Sequence, residues 1–275
     1  MHRGIYEAAS GMLVQETHLD VITNNLANVD TPGYKRRISA TADFSALLDR
    51  IEKVSEDGET KITTVLPADM PFKGREIIGS LALAAIFSED VMDTFPGVVK
   101  DSESQLDIAI DGPGFFAVAD ENDNRFYTRA GNFTLDSNGN IVNPNGLMLQ
   151  GEGGALNVGN NPRSIEINRK GQVIVKREQE NEIIGRVAVF TFERPTYMRH
   201  QANNLLTPTE QSGEAEDVDA ANVKIWPGML EMSNVEVVTE MARMIEAQRI
   251  YEGASKALMT HDEQTSKLIT SFSRG

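Results

Sequence analysis

Four histidines, His2, His18, His200 and His261, are the residues best suited to acid–base or metal chemistry. Their spacing argues against both uses. His2 and His18 are too far apart to form an i, i+4 pair on one helix face, and His261-Asp262-Glu263 lacks a second histidine four residues away, so no metalloprotease helix is written here. All four are expected to be solvated surface residues. Gly151-Glu152-Gly153-Gly154 opens like half of a dinucleotide loop. Leu156 stands where the last glycine is required, and β-type residues follow in place of a helix, so a hairpin connection is expected. Asp136-Ser137-Asn138-Gly139-Asn140 opens like a calcium loop, but Ile141 takes the glycine position and Leu147 the bidentate glutamate position. Asn138-Gly139 reads instead as a hairpin turn with φ > 0 at both residues. Neither a phosphate-binding P-loop nor a Gly-x-Ser-x-Gly elbow is present. No catalytic, cofactor-binding or metal-ligating residue is therefore expected, and no cofactor.

The composition narrows the partners. Of 275 residues, 40% are hydrophobic and 24% charged, which is the make-up of a globular protein. Asp and Glu number 41 against 26 Lys and Arg, giving a net charge of -15. That field repels nucleic acid and anionic membranes. The chain has no Cys, which excludes disulfides, thiolate zinc sites and a cysteine nucleophile. The first residues carry His2, Arg3, Glu7, Glu16, His18 and Asp20, leaving no apolar core for a cleavable signal. The most apolar stretch, Ile77 to Phe87, is far short of a spanning helix of roughly 20 residues. Export, if any, must use a route that does not read such a signal.

Three textures divide the chain. At the start, Ile5, Ala8, Met12, Gln15, Leu19, Ile22, Leu26 and Val29 follow one another at spacings of 3 and 4, the period of a helix that keeps one stripe against a partner. This helix should stop near Asn28, ahead of a tight turn at Thr31-Pro32-Gly33-Tyr34. At the end, a stripe of the same period runs from Val237 through Met241, Met244, Tyr251 and Leu258 to Ile269. A capping box of Ser233 and Glu236 should open that helix.

Between them, short β-type runs alternate with turn clusters from Leu106 to Phe192. Ala40 to Asp93 mixes a short helical pattern (Phe44, Leu47, Leu48, Ile51) with broken extended stretches, and Glu210 to Asp219 reads as an acidic surface loop. The expected fold is α+β: a hairpin-rich, all-β central domain (95–231) behind a connecting segment (36–94). Long terminal helices flank it and pair as a discontinuous, coiled-coil-like assembly domain (1–35 with 232–275).

Several of these stretches resemble one family. Ile22 to Arg36, ITNNLANVDTPGYKR, is similar to the N-terminal signature of bacterial flagellar rod and hook proteins. Asp111 to Val118, Tyr127 to Asn143 and Asn145 to Gly151 resemble its middle motif, and Leu230 to Leu258 its C-terminal signature. The resemblance implies a non-enzymatic axial subunit of the flagellar basal body, with the terminal helices in an inner tube and the β domain outside. It implies as partners copies of the same chain, other rod and hook proteins and the flagellar type III export apparatus, with no small-molecule substrate. It implies a place in the periplasmic rod. The length suits a rod protein better than a hook protein. Proximal and distal forms are both similar, with Gly151–Val158 and Val223–Val235 leaning to the proximal. Carried over position by position, the assembly signature is Asn24, Asn25, Leu26, Ala27, Asn28, Thr31, Pro32, Gly33 and Tyr34. The rival readings are a hook or other axial subunit, and a β-domain binding protein with dimerising helical arms.

Overall fold

A computed structural model of the chain describes residues 2–43, 85–159, 164–177, 181–218 and 224–272. The helical pattern expected over Phe44–Ile51 lies outside these residues. The architecture is α+β: helix α1 (His2–Ala27), a β-rich middle, and helix α2 (Val237–Phe272). Two compact units divide it. The first comprises Met1–Ile22, Ser39–Glu89 and Ala242–Gly275; the second comprises Thr23–Ile38 and Asp90–Met241. The division falls inside both helices, so the last turn of α1 and the first turn of α2 belong with the strands. No helix among the described residues is long and apolar enough to cross a membrane.

The second unit is organised on strand Phe115–Ala119, which is buried along its whole length. Side chains alternate across a strand, so this run of five apolar residues feeds two cores. Phe116 and Val118 join Phe133, Ile141, Leu149 and Val173 on one side. Phe115 and Ala117 join Tyr127, Phe192, Met198 and Leu206 on the other. Edge-to-face rings lock both: Phe116 meets Phe133 at 5.5 Å between centroids, and Tyr127 meets Phe192 at 4.9 Å. The strand pairs antiparallel with Arg125–Thr128 on one edge, and with Met148–Gly151 and Val189–Thr191 on the other. A separate three-stranded meander, Ser164–Ile167, Gln172–Lys176 and Asn181–Arg186, supplies Val173 and Val175 to the first core.

Two long-range ladders close the unit. Val99–Asp101 pairs with Met229–Glu231, and Ile108–Ile110 pairs with Ile225–Pro227, both antiparallel. The chain entering the β region is thus hydrogen-bonded to the chain leaving it. The acidic stretch expected as a loop is partly regular: Glu216–Asp217 pairs with Val189–Thr191, and the Ser212 side chain is buried in a turn against Thr209.

One turn design recurs. Asp136, Asn143 and Asn168 each accept, on the main-chain oxygen, the N–H of a glycine three residues on: Gly139, Gly146 and Gly171. Their side-chain oxygens take further turn N–H groups. The glycines have φ of 80°, 80° and 74°. The expected double-positive turn at Asn138-Gly139 is therefore corrected: only Gly139 is left-handed, as in a type I turn followed by an αL residue. Asp120 builds the same turn, yet Asp123 fills the left-handed position with φ 60°. Relief of that strain in Asp123→Gly should stabilise the protein by about 0.5–1 kcal/mol, read as a higher urea midpoint.

The expected capping box also differs. α2 begins at Val237, and the Ser233 hydroxyl accepts the N–H of Val235 rather than that of Glu236. The reason is tertiary. Asn234 is committed elsewhere: its side-chain oxygen accepts the Arg36 N–H, and its amide donates to the carbonyls of Asp93 and Phe95. The helix begins only beyond the residue that makes those bonds.

Candidate functional site

The signature residues lie where α1 ends. Asn28 donates its side-chain amide to the Asn24 carbonyl at 2.8 Å, and that carbonyl also accepts the Asn28 main-chain N–H at 3.2 Å. Thr31-Pro32-Gly33-Tyr34 then reverses the chain, with the Tyr34 N–H on the Thr31 carbonyl and Gly33 at φ 68°. Pro fixing one φ and Gly supplying the positive one are the requirements of a type II turn.

Asn25, only 1% exposed, is the hub. Its oxygen accepts the Arg37 N–H at 2.9 Å and the Tyr34 hydroxyl at 3.0 Å. Its amide donates to the Arg37 carbonyl at 2.8 Å and to Glu240 Oε2, in the first turn of α2, at 3.4 Å. One carboxamide thus ties the end of α1, the strand after it and the start of α2. Tyr34 is also within reach of Asn24 Oδ1, at 2.9 Å, and burial pushes its hydroxyl pKa up to about 12. Leu26 and Asn28 are half-buried, and Ala27 is exposed.

Beneath this hub lies a buried ion triad that the sequence reading missed. Glu231 is 2% exposed. Its Oε1 accepts from Lys35 Nζ at 2.7 Å and from the Gly97 N–H at 3.0 Å, and its Oε2 accepts from Arg129 Nε at 2.5 Å. Arg129 also donates from Nη1 and Nη2 to the carbonyls of Ile110, Gly112 and Gly114, and Lys35 donates to the Phe95 carbonyl. Burial alone would raise the Glu231 carboxyl, but Arg129 and then Lys35 hold it below the usual range. Burial lowers Lys35, and Glu231 only partly offsets that. The signal available in sequence was weak, because Lys, Arg and Glu default to the surface.

His200 corrects another expectation, since it is not a solvated residue. Its Nε2 is buried without a hydrogen-bond partner, and its ring lies 5.9 Å from that of Tyr34. Burial, and then Arg37, lower its pKa to about 4. The unfolded chain, near 6.5, binds the proton more readily. Stability is therefore fully present above pH 6.5 and is lost as pH falls toward 4. The loss should be roughly 2–3 kcal/mol, allowing for partial exposure. Urea melts across that window should show it, and His200→Gln should flatten this part of the slope.

The helix stripes are partly covered. On α1, Val14 and Val21, seven residues apart, are buried with Ile22, while Met12 and Leu19 are half-buried. The Ile5 side chain lies outside the described ones. On α2 the less exposed positions include Glu240, Met244, Ala247, Tyr251, Ala254, Leu258, His261 and Thr265, which alternate by 4 and 3, with Thr239, Arg243 and Ser255 beside them. The expected residues Met244, Tyr251 and Leu258 are among them. Val237, Met241 and Ile269 are exposed, because the helix turns Ala247, Ala254 and His261 to the covered side instead.

Both striped helices are thus clamped at their inner ends to the β unit through buried polar bonds that meet at one junction. A family model described as flagella basal body rod protein matches residues 5–35, one described as flagellar hook protein FlgE/F/G D1 domain matches 109–175, and one described as flagellar basal body rod FlgEFG protein C-terminal matches 227–271. The chain is 32% identical to the flagellar basal-body rod protein FlgG of Bacillus subtilis, over 98% of each chain. It is 32% identical to that of Borreliella burgdorferi, over 95% of this chain and 96% of the relative. To FlgF of Caulobacter vibrioides the identity is 27%, over 94% and 93%.

The chain belongs to the flagellar basal-body rod protein family, and is a structural subunit of that rod. The buried triad takes one residue from each matched region: Lys35, Arg129 and Glu231.

Proposed function

We propose that this rod subunit polymerises through α1 and α2, whose stripes pair as a coiled-coil-like domain and pack between neighbouring copies and other axial proteins. The β unit rides outside that tube, and the polymer carries torque as the axial drive shaft. The observation that carries this reading is apolar surface left uncovered on the helices: Leu13 on α1, and Val238, Met241, Ile245, Met259 and Ile269 on α2. Val238 is 75% exposed and Met259 62%. Fully burying one such side chain contributes roughly 1.5–3 kcal/mol, so the set supplies on the order of 10 kcal/mol, comparable to the freedom lost on association. One partner helix is then marginal, and neighbours on several sides make a stable polymer. Membership of a rod family supports passage through the flagellar type III export apparatus into the periplasm.

Ile245→Glu with Met259→Glu tests the reading. Both side chains are more than half exposed in the single chain, so monomer stability should stay within about 0.5 kcal/mol. In the native bacterium the variant should be non-motile, with no rod in purified basal bodies. Wild-type swimming would sink the proposal.

A further inference from the structure

Asparagines dominate the lining of one cleft in the second unit. It holds about 620 Å³ and is bounded by Asn24, Asn28 and Pro32 on one side and by Asn132, Asn143 and Asn203 on the other. Its only formally charged side chain is Arg37.

Bonding capacity is left over. Asn143 is 6% exposed; its oxygen is used by the N–H groups of Asn145 and Leu147, but its amide nitrogen has no partner. The side chains of Asn132 and Asn203 make no hydrogen bond among the described residues, and His200 Nε2 is buried and unpartnered. Of these atoms only His200 Nε2 is fully buried; Asn132 is half-buried and Asn203 exposed. An unmade bond at a buried group costs about 1–3 kcal/mol and favours a ligand that supplies it. Asn203 and Asn204 also hold left-handed backbone, with φ of 63° and 57°, a strain that concentrates at binding sites.

The chemistry of the ligand follows from the carboxamide. It offers a donor and an acceptor in one plane, matching the N–H and C=O of a peptide. The chain already uses this match: Asn25 holds both backbone groups of Arg37, and Asn204 donates to the Pro32 carbonyl at 2.9 Å. A sugar would want an exposed aromatic face, and the Tyr34 ring is buried. Strand Arg199–Gln201, which contributes His200 and Gln201 to the lining, ends its sheet, with no described strand beyond it. A free edge is a template for an added strand.

We propose that the cleft receives an extended segment of a second copy of this chain, laid along the Arg199–Gln201 edge and held by the asparagine carboxamides. This rests on the self-association proposed above, which brings identical β units side by side, but uses a surface apart from the helices.

The test titrates the full-length Ile245→Glu/Met259→Glu monomer, isotope-labelled at asparagine, with overlapping synthetic peptides covering the whole chain. At least one peptide should shift the side-chain amide signals of Asn132, Asn143 and Asn203. Adding Asn132→Ala and Asn203→Gly should weaken its binding at least about tenfold; glycine keeps the left-handed turn. If no peptide shifts these signals, or chitotetraose shifts them instead, or the variant binds undiminished, the proposal is overturned. Because helix packing is absent from this titration, its failure is separable from a failure of the helix reading, which shows in swimming.

Discussion

Replacing Glu231 by Gln should destabilise the protein by about 3–5 kcal/mol, more than any surface substitution. The shape of the side chain is kept, but Lys35 and Arg129 are left with two positive charges in a site where Glu231 is 2% exposed. The loss is the cost of the stranded cations rather than the net worth of the pair. Urea unfolding monitored by the fluorescence of Trp226, the sole tryptophan, measures it. Lys35→Met in the Glu231→Gln background should recover part of the loss, since it removes one stranded charge; full additivity of the two changes would show that the residues do not couple. The pH dependence follows the same logic. The folded carboxyl lies below its ordinary value of 4.5. Its contribution is therefore present above that value and is lost as pH falls through the folded one. Glu231→Gln should lack that acid limb, while the His200 limb persists.

Gly33→Ala is expected to cost about 3 kcal/mol or more. Two penalties combine. At φ 68° an alanine pays about 1–2 kcal/mol for left-handed backbone. Its Cβ would also lie 2.2 Å from the Ala130 nitrogen and 2.4 Å from the Arg129 carbonyl carbon, main-chain atoms that cannot swing aside. Overpacking of this kind costs about 1–3 kcal/mol. The displaced backbone carries Arg129, so the strain reaches the triad, and Gly33 also donates its N–H to the Glu231 carbonyl at 2.7 Å. Thermal unfolding of the purified variant should show a midpoint several degrees lower. A midpoint equal to that of the wild type would mean that the turn can rearrange without cost.

The parts of the fold that could be read from the sequence are those set by local chemistry. Phe115–Ala119 is a strand over the run of apolar residues that marked it, and α1 ends at Ala27, ahead of the Pro-Gly turn. The hairpins at Gly139, Gly146 and Gly171 fall at turn clusters because Asx side chains and glycine close them without distant help. Strands Val99–Asp101 and Ile225–Pro227 were not legible. VKD and IWP are short, polar or proline-bearing, and exist as strands only through partners far away in sequence. The signature placed the junction but not its wiring. Nothing in Asn24-Asn25 says that the second is the buried hub, because both have the same side chain and differ only in which way the last helical turn faces. The phase of the α1 stripe was ambiguous for a similar reason: Leu13 and Val14 are adjacent and both apolar, and packing alone turned Val14 inward.

By itself, then, the sequence determined two helices, a hairpin-rich β region and membership of a rod and hook family, since periodicity, turn residues and motif order act within a few residues of chain. Tertiary structure alone decided that Lys35, Arg129 and Glu231 form one buried triad, and that a carboxamide near the end of α1 binds a carboxylate at the start of α2. Such contacts depend on which distant segments the two ladders and the Gly33 turn bring within hydrogen-bonding distance, and Coulomb and hydrogen-bond energies become large only there, where water has been excluded.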